Sequence, residues 1–233
     1  MNPICKEYGH DWSPTGLYVN GILCAPCRRK GCEAERSVRE TISETGFPSS
    51  VHGIPLDIDD DPQGGVAKII MRELGLNAQI NALDLGPGSV VIDIGAHVGI
   101  WSIWLAKRYP GITVHAYEPI YQNVERLRRN IEANEVREVY AHALAVTGDG
   151  RQVSLPVDLS SNSGGTSIYG GGWNAEKTIE TPSVTLKTVF GLAGFFGKGQ
   201  YLDRISLLKL DCEGAEYDVF TQVDSDTLGR VDR

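Results

Sequence analysis

An α/β protein with a mostly parallel sheet is what this sequence predicts, and three observations predict it. Val90–Ile94 is a β-branched run with the texture of a strand covered on both faces, and Ile205–Leu210 returns to that texture. Helical patterns alternate with the strand candidates between them. A Gly-rich stretch, Asp93-Ile94-Gly95-Ala96-His97-Val98-Gly99, sits where the first of these strands turns into a helix.

Taken in order, Val66, Ile69, Ile70 and Leu74 fall at helical spacing, and Gly75 ends that helix. After the strand Val90–Ile94, residues 100–109 read as a helix, apolar at Ile100, Ile103, Trp104 and Leu105 and stopped by Pro110-Gly111. Thr113–Tyr117 is the next strand. Val124, Leu127 and Ile131 form the stripe of a second helix, and Val139–Val146 is a third strand. A βαβαβ order implies right-handed crossovers and parallel pairing. Between residues 149 and 189 the short runs Val153–Leu155 and Val184–Leu186 flank a Ser/Gly-rich loop, 160–172, so an antiparallel insertion with a substrate-covering or plain surface loop is expected. A helix from Ala215 to Val223 closes the pattern.

The chain upstream of Val66 has another character. Residues 34–44 are polar and suit a short exposed helix, and the stretch to Gly65 carries three prolines, an acidic run and a Gly pair that resist regular structure. The expected organisation is a zinc-ribbon-like segment over 1–33, a linker over 34–65 and the α/β domain over 66–233. Cys5 with His10, and Cys24 with Cys27, supply the four ligands of a tetrahedral structural zinc site, with Cys32 in reserve; the alternative is a leader with incidental cysteines.

A formal net charge of −8 argues against a nucleic-acid partner held by the overall field. No apolar run approaches the roughly 20 residues of a membrane span. The start, Met1-Asn2-Pro3-Ile4-Cys5-Lys6, lacks the basic and apolar regions of a signal peptide, so a cytoplasmic location is expected.

The chemistry gathers at predicted strand ends. In open α/β sheets, ligands bind outside the carboxyl ends of the strands. Gly95 there lets a ligand approach the backbone, Gly99 permits close packing of the next helix, and the helix N-terminus offers N–H groups to a carboxylate. Glu118, ending the next strand, suits ribose hydroxyls. These features call for a nucleoside. The pyrophosphate pattern Gly-x-Gly-x-x-Gly is absent, and an acid at Asp93 suits the ammonium and sulfonium of S-adenosylmethionine better than a pyrophosphate. A nicotinamide-dependent oxidoreductase is therefore the weaker reading. Asp211 ends the strand Ile205–Leu210 on the same edge, where it could accept a proton, hold a divalent cation or cap the following helix. Lys209 inside that strand calls for an ion pair with Asp211 or Glu213, and His97 belongs to the turn itself.

Three stretches together resemble the FkbM family of class I methyltransferases. They are Val91 to Gly99; Tyr117-Glu118-Pro119 with Asn123, Leu127 and Asn130; and Leu208-Lys209-Leu210-Asp211-Cys212-Glu213-Gly214-Ala215-Glu216. The resemblance runs from about Gly86 to the C-terminus. It implies a Rossmann-like sheet, S-adenosylmethionine as cofactor, and O-methylation of a hydroxyl on a sugar or natural-product-like acceptor. By that resemblance Asp93, Gly95, Ala96, His97, Gly99, Glu118 and Pro119 surround the cofactor, and Asp211 and Glu213 lie near the acceptor. Asn123 and Asn130 match the family pattern, with capping and packing as their expected work. The family would enter another strand where this chain reaches Arg230-Val231-Asp232-Arg233, so the C-terminal edge strands are expected to be missing or replaced by a partner chain. The remaining alternative is a zinc-ribbon binding protein with an inactive methyltransferase-like domain.

Overall fold

The computed structural model describes residues 50–60, 66–76, 80, 82–157, 177–196, 204–212 and 214–232. Cys5, His10, Cys24, Cys27, Cys32, the helix expected at 34–44, the loop 160–172 and Glu213 lie outside the described residues. In chain order the elements are the hairpin β1 (Ser50–Val51) and β2 (Ile54–Pro55), α1 (Val66–Leu76), β3 (Val90–Ile94), α2 (Ile100–Arg108), β4 (Thr113–Tyr117) and α3 (Tyr121–Ala133). There follow β5 (Val139–His142), β6 (Ala145–Val146), β7 (Val153–Val157), β8 (Lys177–Thr181), β9 (Ser183–Val184), α4 (Leu186–Phe196), β10 (Leu207–Leu210), α5 (Ala215–Gln222) and α6 (Ser225–Leu228).

The β-branched run becomes β3, buried at all five positions, and it occupies the interior of a parallel sheet ordered β10-β3-β4-β5. Its alternation divides two cores. Val91 joins Ala67, Met71, Leu74, Ile103, Trp104 and Leu127 beneath α1, α2 and α3. Ile92 and Ile94 join Tyr117, Val189, Phe190 and Val219 beneath α4 and α5 on the other face. Helices on both faces of a parallel sheet make the fold a Rossmann-like α/β architecture. No described helix is long and apolar enough to cross a membrane.

Several expectations are corrected. The third strand is two: Leu144 N–H donates to His142 O at 3.0 Å, which turns the chain out of the main sheet, and β6 pairs in parallel with β9 instead. The antiparallel insertion exists, but β7 pairs with β8, Leu155 opposite Ile179, rather than with Val184–Leu186. Leu186 opens a helix, since Leu186, Val189, Phe190 and Ala193 recur at helical spacing and are all buried. At the far edge, Ile205 and Val231 form a parallel bridge, so pairing beyond β10 has begun at the end of the described chain.

The stretch expected to be structureless linker is ordered from Ser50 and belongs to the same compact unit as the sheet, Ser49–Arg233. Trp104 Nε1 donates to Val51 O at 3.1 Å and fixes the hairpin. Residues 56–60 then form a strap along α3. Asn134 Oδ1 accepts from Asp57 N–H at 3.0 Å while its Nδ2 donates to Asp57 O at 2.6 Å. Asn130 does the same for Asp59, at 2.7 and 3.1 Å. The spacings match: side chains four apart on a helix lie about 5–6 Å apart, and alternate residues of an extended chain about 6.6 Å apart. Asn130 Nδ2 also donates to Val98 O at 2.9 Å, tying the strap to the Gly-rich turn.

On β4 and β5, His115 stacks against Tyr140 and His142 at 5.4 and 5.3 Å, with its Nδ1 3.1 Å from His142 Nε2. Burial, helped by His142, lowers the His115 pKa from 6.5 to about 4. The folded state therefore refuses a proton that the unfolded chain takes between those values, so stability falls as pH drops through that window. His97, also near 4, acts in the same direction, and Glu118, raised to about 7, acts oppositely. His115→Phe keeps the stack and removes one titration. Its loss of unfolding free energy between pH 7 and 4.5 is expected to be about 2 kcal/mol smaller than wild type's by urea denaturation. Equal losses would contradict this account of His115.

Candidate cofactor site

Three adjacent strands deliver predicted site residues to one edge of the sheet. The turn after β3 brings Gly95–Gly99, β4 is followed by Glu118, and β10 by Asp211. The turn bends through left-handed backbone at Gly95 (φ 78°), His97 (φ 51°) and Gly99 (φ 89°). It is latched to β4 by Gly95 and Ala96, whose N–H groups both donate to Tyr117 O at 2.9 and 3.0 Å.

The two glycines have packing reasons. A Cβ on Gly95 would lie 1.8 Å from the carbonyl oxygen of Asp211, and one on Gly99 would lie 2.1 Å from Leu127 Cδ1. Gly99 thus serves close packing, but chiefly against Leu127 of α3 rather than against the helix that follows it. Gly95 is bare because the chain leaving β10 crosses it, not only to admit a ligand.

Glu118 is buried and holds the turn. Its Oε2 accepts from His97 N–H at 2.9 Å, and its Oε1 accepts from Ile120 N–H at 3.0 Å and Asn123 Nδ2 at 3.2 Å. Burial pushes its pKa up to about 7 against the pull of these bonds. A carboxylate has about four acceptor positions, so roughly one remains, on Oε2, for a ligand hydroxyl. Pro119 O accepts from Thr181 Oγ1 at 3.3 Å, which joins the insertion to this corner.

Asp93, expected to face an ammonium or sulfonium, is fully buried under the turn with both oxygens engaged. Lys209 Nζ lies 3.0 Å from Oδ1, and Ser102 Oγ donates to Oδ2 at 2.7 Å. Its work is to anchor the turn to β10 and α2. Lys209 also approaches Gly95 O at 3.4 Å and Asp211 Oδ2 at 3.5 Å. Burial opposes its charge, but the Asp93 and Asp211 carboxylates together hold its pKa above the ordinary lysine value. The pair with Asp211 was expected and the pair with Asp93 was not. It follows from the register: β10, half-buried along its length, pairs with β3 so that Lys209 stands opposite the buried Asp93, and the two opposite charges meet.

Asp211 is the exposed member, its side chain 63% accessible. It does not cap α5. That helix starts behind Gly214, and Glu216 closes the loop by accepting from Cys212 N–H and Gly214 N–H, both at 2.7 Å. Burial lowers the pKa of His97 to about 4, so the ring is neutral near pH 7. Sequence reasoning left out Ser102, the grip of Asn123 on Glu118, and the strap. Among the described residues no group of three or more His, Cys, Asp or Glu is arranged to hold a metal ion.

Comparison with known proteins finds methyltransferases. The family model described as the methyltransferase FkbM domain matches residues 93–233. Similar proteins include Methyltransferase 1 of Beauveria bassiana (strain ARSEF 2860), 25% identical over 176 residues, with 71% of this chain and 70% of that protein covered. The 31-O-demethyl-FK506 methyltransferase FkbM of Streptomyces tacrolimicus is 27% identical over 195 residues, with 72% of each covered. Methyltransferase sdnD of Sordaria araneosa is 25% identical over 186 residues, covering 69% of this chain and 70% of its own.

Proposed function

Since the chain belongs to the FkbM methyltransferase family, we propose that it moves a methyl group from S-adenosylmethionine to a hydroxyl oxygen of a sugar or natural-product-like acceptor. The observation that carries this reading is the convergence of the Gly95–Gly99 turn, Glu118 and Asp211 at the ends of three neighbouring strands. The Streptomyces relative, named for an O-demethyl compound, supports oxygen as the receiving atom.

The residues present fit such a nucleoside. Glu118 keeps a free acceptor position in a buried setting, where a hydrogen bond to a charged group contributes roughly 1.5–3 kcal/mol. The first amides of α2 have no partner within the helix and suit a carboxylate. When bound, S-adenosylmethionine supplies a methyl group activated on a sulfonium. This chain's part is alignment, which contributes up to roughly 7–11 kcal/mol in favourable cases, and removal of the hydroxyl proton. Asp211 is the group we assign to the proton, because it is the exposed carboxylate on this edge, with Lys209 Nζ 3.5 Å away restraining where it points. Glu213 is a second candidate on the acceptor side by its place in the sequence.

Asp211→Ala is expected to leave S-adenosylmethionine binding unchanged by calorimetry and to lower turnover by about 10²–10⁴-fold. The assay is transfer of labelled methyl groups into small-molecule and glycan extracts, followed by mass spectrometry. Full turnover in the variant would remove Asp211 from the reaction. Absence of any product labelled as an O-methyl ether with wild type would count against the function.

A further inference from the structure

The strap contains an acid that the cofactor turn does not explain. Asp60 Oδ2 accepts from Ala67 N–H at 2.8 Å, which fixes the side chain against the start of α1. Asp60 Oδ1 is buried and accepts no hydrogen bond from the described residues. Sealing a carboxylate oxygen away from water with no donor is costly, so such an atom calls for a donor, and a cationic one best satisfies it.

Its position says which ligand would bring that donor. The preceding residue, Asp59, is clamped by Asn130, and the same Asn130 amide holds Val98 O inside the turn. Asp60 therefore stands beside the Gly95–Gly99 bend, and among the charged groups around the His97 ring its influence is the largest. The other acids nearby are occupied or turned outward. Asp93 has both oxygens engaged, Glu118 has three donors, and Asp211 faces solvent beside Lys209.

We propose that Asp60 receives the ammonium group of the amino-acid end of S-adenosylmethionine, the contact that Asp93 is too engaged to make. The proposal rests on the S-adenosylmethionine reading above. It makes the strap, which lies upstream of the region matched by the family model, a wall of the cofactor site. The Asn130 and Asn134 clamps set the strap's position, and through it that of Asp60.

The test uses the full chain, Asp60→Asn, and three nucleosides titrated by calorimetry. Asparagine keeps an oxygen for Ala67 N–H, and circular dichroism and a melting curve check that the fold is retained. S-adenosylmethionine and S-adenosylhomocysteine both carry the ammonium, the second without the sulfonium charge. Methylthioadenosine carries neither. The expected result is an affinity loss of roughly ten- to hundred-fold for the first two, as for a lost charge-assisted bond, with methylthioadenosine unchanged. Loss for S-adenosylmethionine alone would place Asp60 at the sulfonium and overturn the proposal. Equal loss for all three would make Asp60 a purely structural residue and overturn it also, as would no loss at all. If wild type binds none of the three, the methyl-donor reading fails and this proposal with it; if wild type binds and only the variant result disagrees, this proposal fails alone.

Discussion

Gly95→Ala is expected to destabilise the protein by about 3–5 kcal/mol in urea unfolding, a large share of the roughly 5–15 kcal/mol that holds an ordinary domain folded. The left-handed backbone at φ 78° costs any side chain roughly 1 kcal/mol or more. The larger part is steric. The new Cβ would meet the Asp211 carbonyl oxygen at 1.8 Å, and that oxygen is backbone held in place on both sides. Asp211 N–H donates to Ile94 O at 3.0 Å, and Glu216 grips the amides of Cys212 and Gly214. Gly99→Ala has a similar φ, but its Cβ meets the end of the Leu127 side chain, which can rotate. It is expected to cost clearly less, about 2 kcal/mol. A Gly95→Ala loss no larger than that of Gly99→Ala would contradict the crossing described here. The comparison also shows why a bulky residue at Gly95 is a poor probe of ligand binding: lost binding would follow from lost structure.

Lys209→Met has the second large effect. It strands Asp93, fully buried on the facing strand, with Ser102 as its one remaining donor among the described residues. Removing one partner of a buried ion pair costs about 3–5 kcal/mol, because the remaining charge has neither water nor counter-ion. The double variant Lys209→Met with Asp93→Asn removes both charges and is expected to recover at least about 1 kcal/mol of that loss, a coupling read directly from the cycle. Additive losses, or a Lys209→Met cost below about 1 kcal/mol, would mean that the pair does not hold β10 to the turn.

The reach of the sequence follows the range of the forces involved. β3 was legible to the residue because a β-branched run buried on both faces has no other home, and β4 because it is the next apolar stretch after the Pro110-Gly111 stop. The turn was legible because its glycines stand at a strand end. Residues 139–146 read as one strand since nothing in His142-Ala143-Leu144 reveals the hydrogen bond that bends the chain there. The start of α4 was misread because Val184-Thr185-Leu186 has strand texture, while the helical recurrence of Leu186, Val189, Phe190 and Ala193 needed a longer window. The strap was illegible for a deeper reason. Its order is imposed by Asn130 and Asn134, some seventy residues away, through bonds to its backbone that any strap sequence could accept. At the site, the register of β3 against β10 would have paired Lys209 with Asp93. That Glu118 spends most of its acceptor capacity on the turn and the start of α3 could be seen only with the fold in hand.

The most direct measurement of the central claim is a calorimetric titration of S-adenosylmethionine into wild type and Glu118→Gln between pH 6 and 8. Glu118 is ionised above about 7, so wild-type affinity is expected to rise with pH across that range, while the variant binds roughly ten- to hundred-fold more weakly at pH 8 with little pH dependence. Unchanged affinity in a folded variant, or reduced nicotinamide nucleotide binding in place of S-adenosylmethionine, would contradict the account.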